Sequence, residues 1–149
     1  MSTHSGAQMQ HLVALTSRDM DQMLLEQLGI GLAQYKIMST IHDHPHVQQR
    51  TIADTLGQTE ASVSRQIKLL AEKALLHAEQ NPTNKREHIT DLTPNGVQIV
   101  DAAERVLGGY QTKFFAGLSD KQQQQLDELL GVLHRSVCYH KHPGVDGLS

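Results

Sequence analysis

A chain of 149 residues, 38% apolar and 19% charged, is long enough for one domain with a sizeable core and too short for two ordinary ones. With no Trp and only three Tyr and two Phe, the core must be filled by Leu, Ile, Val, Ala and Met, which favours helices packed on helices. The net charge of -3 excludes a general attraction to nucleic acid, so its thirteen Lys and Arg residues would have to act locally.

From Ala7 to Leu28 the apolar residues Met9, Leu12, Met20, Met23, Leu24 and Leu28 recur at steps of three and four, which predicts a long first helix. The polar stretch Thr16 to Asp19 interrupts the stripe and is a place for a bend. Gly29 and Gly31 stop this helix, and Tyr35, Ile37, Met38 and Ile41 line a short second one that ends before Pro45. Gln48 to Leu56 reads as a third helix with Ile52, Ala53 and Leu56 inward, followed by Gly57, which suits a tight turn. Thr59 is an N-cap for a fourth helix whose inner face carries Val63, Ile67, Leu70 and Ala74.

Leu75 to Gln80 and Glu87 to Leu92 are candidate strands on either side of a turn rich in Pro and Asn. Thr93 then caps a fifth helix with Pro94 at its first position, bearing the stripe Val100, Ala103, Leu107, Tyr110 and Phe114 and softened by Gly108-Gly109. The last helix starts at Ser119 and sets Leu126, Leu129, Leu130, Leu133 and Val137 along one face, which a monomer would leave partly exposed. The tail after His142 has no element.

This order predicts a mainly α fold with a small β-hairpin, namely a winged helix-turn-helix flanked by N- and C-terminal dimerisation helices. Residues 1–149 form one domain, with 34–96 as the DNA-binding module and 7–28 and 119–140 as the dimerisation helices. The helix-turn-helix rests on Ala53 where two helices approach, Gly57 at the turn and Val63 ten residues after Ala53.

With Val63, Ile67 and Leu70 inward, the pitch of an α-helix puts Ala61, Arg65, Lys68 and Glu72 on the far side, flanked by Ser62 and Ser64. Thr59, Ala61, Ser62, Ser64, Arg65 and Lys68 are therefore the candidate recognition residues. Small residues let the helix approach a major groove, hydroxyls meet phosphates or bases, Arg65 can address guanine O6 and N7, and Lys68 meets a phosphate. An ordinary solvated face carries the same residue types. The hairpin tip Asn84-Lys85-Arg86 supplies a second basic element suited to a minor groove, or simply protection for an edge strand.

The run Leu56-Gly57-Gln58-Thr59-Glu60-Ala61-Ser62-Val63-Ser64-Arg65-Gln66-Ile67, then Leu70, Lys73-Ala74-Leu75-Leu76 and Leu92-Thr93-Pro94-Asn95-Gly96, resembles the MarR family of transcriptional regulators. The resemblance implies a homodimer joined by its first and last helices, and double-stranded DNA with a pseudo-palindromic operator as partner. It also implies a small-molecule effector bound between the first, second and fifth helices. Asn84 stands where the family usually has a wing-tip acid, Ala74 where it usually has Gly, and Ala78 near a usual basic position.

The remaining chemistry is sparse. His42, His44 and His46 around Pro45, and His134 with Cys138 one turn apart, are metal-ligand types without a recognised spacing. A solvated turn, and a small buried Cys beside surface His residues, account for them better. Relatives that sense zinc or peroxide use His-rich helices or an N-terminal Cys, neither of which this chain supplies. A lone cysteine fits a reducing compartment. No apolar run nears the ~20 residues that span a bilayer, and the start MSTHSGAQMQ lacks the regions of a signal peptide, so a cytoplasmic location is expected. No phosphate loop, nucleophile elbow or paired acids point to an enzyme, and no cofactor is implied. The alternatives to a DNA-binding repressor are a winged-helix protein-interaction module and a metal- or redox-responsive regulator using the His and Cys residues.

Overall fold

The computed structural model describes residues 3–80, 82–83 and 88–141. In chain order it contains α1 (Thr3–Leu28), α2 (Leu32–Asp43), α3 (Gln49–Leu56), α4 (Glu60–Glu72), β1 (Leu76–Gln80), β2 (His88–Leu92), α5 (Pro94–Phe115) and α6 (Asp120–Lys141). The chain divides into two compact units, Met1–Leu107 and Gly108–Ser149. None of these helices is long and apolar enough to cross a membrane.

α1 begins four residues earlier than its apolar pattern suggests and passes through Thr16–Asp19 as continuous helix. The Thr16 hydroxyl donates to the Leu12 carbonyl at 2.8 Å, so its hydrogen-bonding capacity returns to its own helix. The chain turns at Gly29 and Gly31, and the first turn of α2 is capped from outside: the Asp21 carboxylate of α1 accepts the Leu32 N–H at 2.8 Å. Leu32, Ile37, Met38 and Ile41 are the buried stripe of α2.

The α3–α4 corner follows the local signals closely. Gly57 is left-handed at φ 65°, the Gln58 N–H reaches back to the Ala53 carbonyl at 2.9 Å, and the Thr59 hydroxyl accepts the Ser62 N–H at 3.1 Å. Ile52, Ala53, Val63, Ile67 and Leu70 meet Ile37, Met38 and Ile41 in the main core of the first unit, which Leu75, Leu76, Leu92 and Val100 complete. Five cross-strand pairs from Leu76↔Leu92 to Gln80↔His88 make the antiparallel hairpin.

One inward position does not hold. α4 ends at Glu72, and Ala74 is exposed beyond it with φ 57°, because the chain must reverse sharply to bring Leu75 and Leu76 under the core. A left-handed turn costs an L-residue with a Cβ ~1–2 kcal/mol. We expect Ala74→Gly to raise stability by roughly 0.5–1 kcal/mol after Gly's own entropy cost, and Tm by about 1–4 °C, measured by thermal unfolding at fixed chain concentration.

The start of α5 is fastened to this turn. The Thr93 hydroxyl accepts the Gly96 N–H at 3.0 Å and donates to the Ala74 carbonyl at 2.8 Å, while the Thr93 N–H donates to the Leu75 carbonyl at 3.1 Å. Gly96 is packed so closely that a Cβ there would run into the Leu75 carbonyl. α5 continues through Gly108-Gly109, where the boundary between the units falls.

In the second unit, Tyr110 stacks on Phe114 at 6.3 Å and Phe114 meets Phe115 edge-on at 4.9 Å. Ser119 and Gln122 cap α6 reciprocally, with Gln122 N–H to the Ser119 hydroxyl at 3.2 Å and Ser119 N–H to the Gln122 side chain at 2.9 Å.

Candidate nucleic-acid interface

Because Val63, Ile67 and Leu70 are the fully covered face of α4, the opposite face is turned to solvent by the helix pitch. Thr59, Ala61, Ser64, Arg65 and Lys68 are exposed and Ser62 is half-buried. The α4 N-terminus is well formed, with Thr59 as cap and Glu60 in its first turn. Among the described residues, no hydrogen bond or ion pair holds the Arg65 guanidinium or the Lys68 ammonium to the protein. The outward face is thus a row of small and hydroxyl side chains at one end followed by two cations one turn apart, with Leu69 beside them and Glu72 at the far end.

The hairpin leaves the core directly after α4, and the Leu76↔Leu92 pair anchors its base. The tip residues Asn84, Lys85 and Arg86 lie outside the described residues.

The loop 44–47, which follows α2, has a structural task of its own. His46 is left-handed at φ 66°, its N–H donates to the Thr90 carbonyl at 2.9 Å, and the buried Thr90 hydroxyl donates to the Val47 carbonyl at 3.4 Å, so the loop is stitched to β2. His42 and His46 are exposed and His44 half-buried. Among the described residues no three His, Cys, Asp or Glu side chains are grouped to hold a metal. His134 is exposed on α6, and the Cys138 side chain lies outside the described residues.

Where α1, α2 and α5 meet in the first unit, Leu24, Leu32, Ala103 and Leu107 pack into a second cluster joined by Met20, Leu28, Tyr35 and Val106. Burial pushes the Tyr35 phenol above its ordinary range, its hydrogen bond with Ser39 opposes this, and the charges of Glu104 and Asp43 add to the rise, so this group stays neutral at physiological pH. A groove of about 650 Å³ lies within the second unit, lined by Gln111, Thr112, Phe115, Leu118, Asp120 and Gln123 among others. On α6, Leu129, Leu130, Leu133 and Val137 are exposed, Leu129 by 64%, and Leu126 is half-buried; Met9, Leu12 and Val13 of α1 are exposed as well.

Five residues escaped the sequence reading. Asp21 caps a helix eleven residues away, Gln34 and Gln66 join α2 to α4, Lys73 reaches the Gly29 carbonyl, and Gly96 is required by a close approach. Of these, only Gln34 had a local signal, being three residues after a glycine at a helix start.

A model of the MarR family matches residues 28–87. A Thauera aromatica protein named for transcriptional regulation of the hcr operon is 28% identical over 107 residues, covering 72% of this chain and 64% of its own length. The transcriptional regulator HosA of Escherichia coli O111:H- is 26% identical over 97 residues, or 65% of this chain and 72% of HosA. The chain thus spans just under two thirds of the first of these relatives. Among solved structures, a MarR/EmrR family transcriptional regulator from Acinetobacter sp. ADP1 superposes with a TM-score of 0.78 at 25% identity, covering 90% of this chain and 94% of that one. A complex of S. aureus MepR with DNA shares the fold at a TM-score of 0.79 and 21% identity, covering 91% and 99%.

Proposed function

We propose that this chain, whose residues 28–87 match a model of the MarR family, is a cytoplasmic transcription regulator of that family that binds pseudo-palindromic double-stranded DNA as a homodimer, represses, and is released by a small-molecule effector. The observation that carries the reading is the outward face of α4: Thr59, Ala61, Ser64, Arg65 and Lys68 stand exposed on a helix whose other face is locked into the core. Small residues at the N-terminal end allow close approach to a major groove, Arg65 donates to guanine, and Lys68 neutralises a phosphate. Asn84, Lys85 and Arg86 serve as the wing, with Arg86 in the neighbouring minor groove.

Residues 1–149 act as one domain, with 34–96 binding DNA and 7–28 and 119–140 pairing the protomers. The exposed apolar side chains of α6, Leu129, Leu130, Leu133 and Val137 with Leu126 beside them, support this pairing, because a surface row of this kind is costly to leave in water.

Titration of a duplex selected from random sequence, at several salt concentrations, tests the reading. Lys68 and Arg86 from two chains release about four counterions, so affinity should fall by about 150-fold between 50 and 200 mM salt, with two chains bound per duplex. Binding that ignores salt, or no binding at all, would leave a protein-interaction module as the better account.

A further inference from the structure

Apolar packing is non-directional, so the covered face of α4 resists removal from the core more strongly than it resists a small roll or tilt. Two polar links supply the direction. Midway along α4, the Gln66 side-chain carbonyl accepts the Gln34 amide N–H at 3.1 Å, and the oxygen of the same Gln34 amide accepts the Gly31 N–H at 3.3 Å. At the C-cap of α4, the Lys73 ammonium donates to the Gly29 carbonyl at 3.0 Å, at the negative end of α1. Both links end within residues 29–34, the corner that Asp21 of α1 clamps through the Leu32 N–H at 2.8 Å. α4 is therefore tied near its middle to the first turn of α2 and at its C-cap to Gly29, which directly follows α1.

We propose that Gln34 and Lys73 are positioning residues for DNA binding: they fix the roll and tilt of α4 against α1, and so set the separation of the two reading helices in the dimer. This rests on the reading of α4 as the DNA-binding helix and of α1 as part of the dimer contact. Half-sites on B-DNA lie about 34 Å apart for each helical turn, so a small tilt at each α4 becomes a mismatch with half-site spacing. Neither residue belongs to the recognition set. Gln34 is on α2, and Lys73 points to a backbone carbonyl.

The test compares three duplexes: the selected operator, the same operator with one base pair inserted between its half-sites, and a duplex with a single half-site. For Gln34→Leu/Lys73→Met, the preference for the correctly spaced operator over the shifted one should drop by about fivefold to tenfold, while single half-site affinity stays within about twofold, since both links that hold α4 to the 29–34 corner are removed in each chain. Lys73→Arg should restore its share by keeping a cationic donor. Gln34→Glu should restore the other share, because the Gln66 amide can turn its NH₂ to the carboxylate. Lys73→Met alone, altering an exposed side chain, should show about a twofold to threefold loss of spacing preference even if the double variant folds poorly.

An unchanged spacing preference in a dimeric variant that still binds the operator overturns the positioning role and leaves the DNA reading intact. An equal loss on operator and single half-site also overturns it, pointing instead to direct contact or general damage. If the unaltered chain shows no salt-dependent binding to any duplex, the DNA reading itself fails and the positioning role falls with it.

Discussion

Gly96→Ala should destabilise the chain by about 2–4 kcal/mol and lower Tm by about 5–15 °C, whereas Gly108→Ala and Gly109→Ala in the same helix should stabilise it. In an unobstructed helix the exchange is favourable by ~1 kcal/mol, because Ala has less backbone freedom to lose than Gly. Gly108 and Gly109 meet that condition, with open space where a Cβ would stand. At Gly96 the new methyl would collide with the Leu75 carbonyl, which cannot swing aside freely because it accepts the Thr93 N–H. Relief requires moving the first turn of α5 away from the α4–β1 turn, at the expense of the hydrogen bonds from Thr93 to Leu75 and Ala74. Thermal unfolding of the three variants at one chain concentration settles the matter by sign: a more stable Gly96→Ala protein would show that the close approach is absent.

The contrast among these glycines shows where the sequence is legible. The α3–α4 corner could be read because each of its devices is local: Gly57 takes the left-handed turn, Thr59 caps the residue three positions on, and Val63, Ile67 and Leu70 repeat at helical spacing. Element order and the hairpin followed from the same kind of signal, and the MarR resemblance of the run from Leu56 to Leu76 falls within the family match over 28–87. Gly96 looked like any glycine near a helix start, since the atoms that forbid a side chain lie twenty-one positions earlier.

Range along the chain also explains the other misses. Ala74 continues the apolar spacing of α4, so periodicity alone extends the helix through a residue that the sharp entry into β1 forces into a left-handed turn. The expected place for a bend at Thr16–Asp19 came from the gap in the apolar stripe, whereas the helix runs on and the Thr16 hydroxyl is satisfied by the Leu12 carbonyl. Asp21, Gln66 and Lys73 carry no local signal, because their partners are brought near only by the packing of α1, α2 and α4. The exposure of Thr59, Ala61, Ser64, Arg65 and Lys68 followed for the converse reason: these positions are what remains of α4 once its covered face is known.

Arg65→Ala should produce the largest loss of DNA binding of any single substitution on α4: ~1–3 kcal/mol per half-site, hence about 2–6 kcal/mol for a dimer on two half-sites. Arg65 is exposed, with two turns of α4 between it and the helix end, so truncation removes the proposed reading group without touching the core formed by Val63, Ile67 and Leu70. The change should therefore leave Tm within about 1 °C while relaxing preference at one or two base pairs, because a lost bidentate contact to guanine is a lost discrimination. Lys68→Ala, one turn on, should act differently, weakening all duplexes alike and reducing the slope of log affinity against log salt by ~0.9 per chain. Titration of the selected operator, a point-mutated operator and a scrambled duplex at several salt concentrations separates these two signatures. A folded, dimeric Arg65→Ala protein that keeps both the affinity and the base preference of the unaltered chain would argue against α4 as the reading helix, since Arg65 carries the one guanidinium on its outward face.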